Sequence, residues 1–160
     1  MKKLKIGIFA FTSDEGCIMQ ILESLNSTFE ELKDYLDIRH FRLLIPKKEM
    51  QKMDVAFIEG AISTKKDLEL LKKIRENSKK IVAIGSCAIN GVPSNMRNSF
   101  DEKTKSKIKS FLEKFEHFDT VEPIEKYIEV DEKINGCPIS EENFIICLKK
   151  YIDEFGVKNA

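Results

Sequence analysis

Three observations predict an α/β protein built on an open, doubly wound parallel sheet with helices on both faces. Short apolar runs alternate with stretches whose apolar residues recur at helical period. The runs Leu4 to Phe11, Asp54 to Ile58 and Ile81 to Ile84 carry few polar residues, as strands covered on both faces do. Each run gives way to a turn that contains glycine. In such folds ligands bind outside the carboxyl ends of the strands, so these turns are where function is sought. The 160 residues read as one domain, residues 1–160, long enough to bury a substantial core.

After the first strand, Ile18, Ile21, Leu22 and Leu25 follow a helical period from Cys17 onward. Ser27 with Glu30 predicts a capping box for a short second helix ending near Leu36. A strand is expected over Ile38 to Ile45, stopped by Pro46. After the Asp54–Ile58 run, Thr64 is placed to cap a helix with Leu68, Leu71 and Ile74 on its apolar face. Beyond Ile84, the residues Ala88 to Phe100 hold Gly91, Pro93 and three asparagines, a composition that predicts an ordered loop. Ile108, Phe111, Leu112 and Phe115 predict another helix, and Tyr127 to Val130 a last strand. The final helix has Ser140 as cap, Glu141 and Glu142 at its positive end, and Gly156 as its stop. Its apolar stripe is Phe144, Leu148, Tyr151 and Phe155, with Cys147 on the same side.

Composition excludes some classes. The 27 basic and 27 acidic residues cancel, which gives no electrostatic case for nucleic acid or an anionic membrane, and the Lys103–Lys109 cluster reads as a solvated helix face. The start, Met1-Lys2-Lys3-Leu4-Lys5 before an apolar run, has the outline of a signal peptide. The run is short, Thr12 to Glu15 end it, and no small-residue cleavage site follows; it is also too short to span a bilayer. The expectation is a cytoplasmic protein that begins with a buried strand.

Four cysteines, Cys17, Cys87, Cys137 and Cys147, are widely spaced, and in a reducing compartment they need not pair. The first three adjoin a glycine or follow one closely, in predicted loops. Cys17 and Cys87 both fall just past a strand end, so they should face one crevice. Zinc sites announce themselves by close Cys or His pairs, and the chain has no Cys-x-x-Cys, while His40 and His117 stand alone. The missing pair also argues against thioredoxin-like exchange. Thiolates favour an iron–sulfur cluster, with glycine letting backbone amides approach the sulfides. Spacing alone leaves both a metal site and coincidence open.

The stretches Asp54-Val55-Ala56-Phe57-Ile58-Glu59-Gly60-Ala61-Ile62, Gly85-Ser86-Cys87-Ala88-Ile89-Asn90-Gly91-Val92-Pro93 and Asn135-Gly136-Cys137-Pro138 together resemble the small subunit of [NiFe]-hydrogenases. The 20-kDa subunit of respiratory complex I belongs to the same superfamily. Each motif is modest alone, but their order and spacing match along nearly the whole chain. The resemblance implies a flavodoxin-like domain with one [4Fe–4S] cluster, proximal to the nickel–iron site of a separate large subunit. Carried over residue by residue, the ligands are Cys17, Cys87 and Cys137, with Gly16, Ser86, Gly136 and Pro138 as cofactor-binding neighbours. The family's fourth cysteine falls on Asp14, a departure from its Cys-x-x-Cys. The adjacent cysteines of the complex I subunit are missing too. Asp14 can supply a carboxylate oxygen, Glu15 can swing in instead, or the fourth iron can carry water or be absent. Asp14 and Glu15 also suit a helix N-terminus with no metal at all.

Cys147, within a helical pattern beside Phe144, Leu148 and Tyr151, reads as a small core residue. Glu59 is expected to face the large-subunit interface, carry protons or cap the loop that follows it, and Arg97 to order the Cys87 loop or contact a partner. Longer family members append a segment with two further clusters, and this chain has no cysteines for them. The short form is similar to the small subunits of cytoplasmic hydrogenases coupled to flavin and iron–sulfur diaphorase modules, including electron-bifurcating ones. The expectation is therefore a subunit of an oxidoreductase complex that performs no bond chemistry itself and relays electrons from the large subunit to a partner redox subunit. Its rivals are a complex I-like, quinone-linked electron-transfer module, a scaffold or sensor subunit without a cluster, and, more remotely, a flavin-binding flavodoxin. Against the last, Asp14 and Glu15 would repel a phosphate at the first loop.

Overall fold

The computed structural model describes residues 2–45 and 50–157. Five parallel strands form the main sheet: β1 (Leu4–Ala10), β2 (Leu36–Phe41), β3 (Met53–Glu59), β5 (Ser78–Ile84) and β7 (Glu132–Ile134). Their spatial order is β2-β1-β3-β5-β7, the flavodoxin-like order in which the chain turns back beside its first strand. A separate antiparallel ribbon pairs β4 (Ile62–Thr64) with β6 (His117–Glu122). The helices are α1 (Gly16–Ser27), α2 (Phe29–Leu32), α3 (Lys65–Glu76), α4 (Gly85–Asn90), α5 (Glu102–Lys114) and α6 (Glu141–Glu154).

The apolar runs are explained by two cores, one on each face of the sheet. Side chains alternate across a strand, so Leu4, Ile6, Ile8, Val55, Phe57, Val82 and Ile84 pack under α1 and α6. Their neighbours Phe9, Met53, Ala56, Ile58, Ile81 and Ala83 pack under α3 and α4. A strand between two such layers has neither face open to solvent, which is why β3 is buried along its whole length, Asp54 and Glu59 included. Gly7 suits the point where the second layer crowds β1, since a Cβ there would press on Met53 Sδ and the Phe9 ring.

Several elements differ from the sequence expectation. Ser27 lies in the last turn of α1, where its hydroxyl donates to the Ser24 carbonyl at 3.1 Å and to Glu141. Ser27 belongs to α1 and the N-cap position of α2 falls on Thr28, so α2 starts after Thr28 with no side-chain cap and ends at Leu32. The next strand begins at Leu36, because Leu4 pairs there, and a turn replaces its expected end as Leu44 and Ile45 amides return to the Phe41 carbonyl. Pro46 lies outside the described residues. The expected loop Ala88–Phe100 begins inside α4 and holds a 3-10 turn at Met96–Ser99. The strand expected at Tyr127–Val130 forms instead at Glu132–Ile134, while Tyr127, Ile128 and Val130 lean on the second core. Thr64 caps α3 as expected and closes a full capping box with Asp67; Ser140 likewise caps α6. No helix among the described residues is long and apolar enough to cross a membrane.

Candidate functional site

Register brings the site together. Ala10 pairs with Glu59, Glu59 with Ile84, and Ile84 with Ile134, so β1, β3, β5 and β7 end in one row. The loops that leave those ends carry Asp14 to Cys17, Gly85 to Cys87, and Gly136 to Pro138. All three converge with Glu59 on one cavity of about 60 Å³, lined by Asp14, Gly16, Cys17, Ser86, Cys87, Gly136, Cys137 and Pro138 among others. Every residue of the sequence-derived site set except Glu15 borders it. Glu15 pairs with Arg42 and lines a neighbouring pocket instead.

The cavity has a buried floor and an open rim. Cys17 is 6 % exposed and Cys87 9 % exposed, whereas Cys137 and Asp14 are exposed. On the floor, both oxygens of Glu59 accept from the first turn of α1: Cys17 N donates to Oε1 and Ile18 N to Oε2, each at 3.1 Å. Helix N-termini leave such amides without partners, and their dipole favours a negative group there. Glu59 thus caps α1 across the sheet; it does not cap the loop that follows it. Burial raises its carboxyl above the ordinary value even though both amides favour the charged form.

Burial also pushes the Cys17 thiol up to about 12, with the negative charge of Glu59 adding to this and the Ile139 amide opposing it. Gly85, at φ +75°, permits the contact of the second loop with the first: a Cβ there would stand 2.5 Å from Cys17 Sγ. Ser86 ties the second loop to the third, since both its amide (2.9 Å) and its hydroxyl (3.2 Å) donate to the Gly136 carbonyl. Sequence reasoning misses Ser94, which joins the first two loops. Its Oγ donates to the Thr12 carbonyl at 3.0 Å and lies 3.3 Å from Cys87 Sγ. Nothing in the local sequence marks it, because its partners come from distant segments.

Other expectations resolve more plainly. Cys147 is buried in the core beneath α6, off the cavity, where burial pushes its thiol up to about 12. Arg97 donates to the Phe118 carbonyl at 2.7 Å and so ties the Met96–Ser99 turn, in the segment that follows Cys87, to β6. His40 stacks on Phe9 with ring centroids 4.2 Å apart.

Among the described residues, no three His, Cys, Asp or Glu side chains gather as a single metal ion needs. A cluster places each thiolate on its own iron, around the group and not at one point, so donor chemistry is the relevant test. Three thiols and one carboxylate ring a cavity with Cys17 and Cys87 on its buried floor, where Gly85 leaves the space a side chain would fill. A buried thiol with a pKa near 12 remains protonated at neutral pH until a metal displaces the proton. The residues fit an iron–sulfur group.

A family model described as "NADH ubiquinone oxidoreductase, 20 Kd subunit" matches residues 15–151. The sulfhydrogenase 2 subunit delta of Pyrococcus furiosus is 31% identical over 146 residues, covering 87% of this chain and 58% of that protein. The gamma subunit of the coenzyme F420 hydrogenase of Methanosarcina barkeri is 30% identical over 142 residues, covering 88% of this chain and 51% of that one. The chain thus spans little more than half the length of these relatives. A crystal structure of an NAD+-reducing [NiFe]-hydrogenase in its H2-reduced state shares the fold, with a TM-score of 0.84 at 21% identity over 96% of this chain and 93% of the other.

Proposed function

Because the chain belongs to the family of the NADH ubiquinone oxidoreductase 20 Kd subunit, we propose that it is the electron-transfer small subunit of a soluble [NiFe]-hydrogenase. In this reading one [4Fe–4S] cluster is held by Cys17, Cys87 and Cys137, with Asp14 in the fourth place. Electrons pass between a nickel–iron site in a partner large subunit and a flavin or iron–sulfur subunit of diaphorase type, in the cytoplasm. Residues 1–160 act as a single iron–sulfur domain. The observation that carries the proposal is the convergence of three glycine-bearing loops, from distant parts of the chain, on one cavity at the aligned ends of β1, β3, β5 and β7. The hydrogenase names of the sequence relatives favour this reading over a quinone-linked module.

When bound, the cluster supplies a one-electron carrier; everything else here is done by the chain. Glu59 fixes the first turn of α1, and so the direction of Cys17. Ser86 and Ser94 lock the three loops to one another. Cys17 and Cys87 are largely removed from solvent, and burial with amide contacts tunes a redox group's potential. The exposed rim at Cys137 and Asp14 is the side from which a partner can approach.

Iron and sulfide analysis with electron paramagnetic resonance (EPR), on anaerobically reconstituted protein, tests the reading. About four irons per chain are expected, as the cluster type requires; no iron after careful reconstitution would leave only the scaffold alternative. Co-purification with a large subunit containing nickel separates the hydrogenase reading from a quinone-linked one.

A further inference from the structure

The two carboxylates of the first loop have been given different tasks. Glu15 is drawn into an ion pair with Arg42 and borders a different pocket. Asp14 borders the thiol-lined cavity. Its Oδ1 accepts from the Gly16 amide at 3.0 Å, which leaves Oδ2 with no hydrogen bond among the described residues. The carboxylate is therefore oriented from behind while one oxygen is free at the exposed rim. Two of the three thiols lie on the buried floor.

Exposure does not separate Asp14 from Cys137, which is exposed as well; donor softness does. Thiolates are soft ligands that suit iron in a sulfide cluster, whereas a carboxylate is a hard donor that also suits other divalent ions. We infer that Asp14 makes one corner of the site exchangeable: the iron it holds can leave and be replaced by another divalent ion, while Cys17, Cys87 and Cys137 retain the rest. This inference rests on the cluster reading above and adds to it a site-specific lability which four thiolates would not confer.

The chemistry balances with a one-electron oxidant. Ferricyanide takes one electron, the bond between the Asp14 oxygen and iron breaks, and [4Fe–4S]2+ becomes [3Fe–4S]1+ with release of one Fe2+. Dithionite supplies one electron for the reverse step, in which added Fe2+ returns to the Asp14 carboxylate. Cobalt(II) offered in place of iron takes the same corner and leaves a different spin signature.

The experiment uses the full chain loaded anaerobically with iron and sulfide, oxidised with one equivalent of ferricyanide and followed by EPR and iron release. The wild-type chain is expected to lose about one iron in four, to show a three-iron signal, and to take up Fe2+ or Co2+ on reduction. Asp14→Cys should suppress both the iron loss and the cobalt uptake. Should Asp14→Cys fail to load, Asp14→Asn serves: it is expected to load as a three-iron cluster from the start. Glu15→Gln should behave as wild type. Equal iron loss from wild type and Asp14→Cys, or a full four-iron load that resists oxidation in Asp14→Asn, would overturn the inference while leaving the relay reading intact. Loss of the exchangeable iron in Glu15→Gln alone would overturn it too, by assigning the corner to Glu15. A wild-type chain that binds no iron overturns the cluster reading itself.

Discussion

Helices α5 and α6 have the same kind of sequence and different fates. Both show apolar residues at helical spacing, both start with a side-chain cap, and both carry acidic residues in the first turn. Yet α6 buries Phe144, Cys147, Leu148, Tyr151 and Ile152, whereas α5 buries nothing fully. Phe144 is 0 % exposed and meets Phe57 edge-on with ring centroids 5.3 Å apart; Phe111 is 63 % exposed. The cause is position. Helix α6 crosses the face of the main sheet next to α1, while α5 leads into β6, which pairs only with the short β4. Periodicity states that a helix has an apolar face, but the sheet decides whether that face is covered.

The sharpest way to break the comparison is at the core. Phe144→Ala removes a ring from the layer beneath α6 and should destabilise by about 3–5 kcal/mol, read as a lower denaturation midpoint at unchanged slope. The third loop leaves β7 to reach α6, so iron loading should fall in this variant as well. A change below about 1 kcal/mol, less than a large core deletion costs when its site is well packed, would mean that α6 is not anchored as described.

A smaller effect is expected at the strand that delivers the third loop. Burial acts to raise the Asp131 carboxyl, but the Ile81 amide and Arg75 outweigh it and hold the group below its ordinary value. Its Oδ2 accepts from Ile81 N at 2.8 Å and pairs with Arg75 at 3.0 Å. A carboxyl lowered in the folded state contributes stability that is present above the unfolded value and lost as pH falls through the folded one. Stability should therefore decline below about pH 4. Asp131→Asn should cost about 1 kcal/mol or less near neutrality, because solvent screens the carboxylate of an exposed residue, and flatten that acid limb, as chemical denaturation at a series of pH values would show. An unchanged limb would remove Asp131 from the account.

The same dependence on position explains what is legible in sequence. The parallel sheet can be read because β1, β3 and β5 are covered on both faces and so appear as apolar runs. Cys17, Cys87 and Cys137 can be found because each lies beyond a strand end near a glycine, and Gly85 and Gly136 hold positive φ angles that side chains rarely adopt. The last main-sheet strand departs from expectation for a physical reason: Glu132-Lys133-Ile134 lies at a sheet edge, where charged residues are tolerated, while the more strand-like Tyr127–Val130 packs as irregular chain. Helix α4 is too short for its period to register, and the expected cap of α2 fails because α1 runs on through Ser27, which leaves Thr28 at the N-cap position. Glu59 stands out in the sequence, but its bond to α1 depends on the pairing of Ala10 with Glu59, which no local pattern encodes. Ser94 is invisible for the same reason.

The smallest effects belong to the caps and to the open face of α5. Ser140 Oγ accepts from Asn143 N at 3.2 Å, and Asp101 Oδ1 accepts from Thr104 N at 2.7 Å. Judged by local geometry, Asp101 is the better cap, and the charged acceptor should make it so. Global stability should rank them the other way. Loss of the Ser140 cap frays a helix that the core depends on, at about 1 kcal/mol. Loss of the Asp101 cap frays a helix with no buried residue, so Asp101→Ala should leave the global denaturation midpoint nearly unchanged, as should Phe111→Ala. Hydrogen exchange separates the two cases: amides of α5 should lose protection in Asp101→Ala through local opening, while those of α6 keep theirs. Equal global losses from Ser140→Ala and Asp101→Ala would mean that α5 is coupled to the core by contacts its exposure does not reveal.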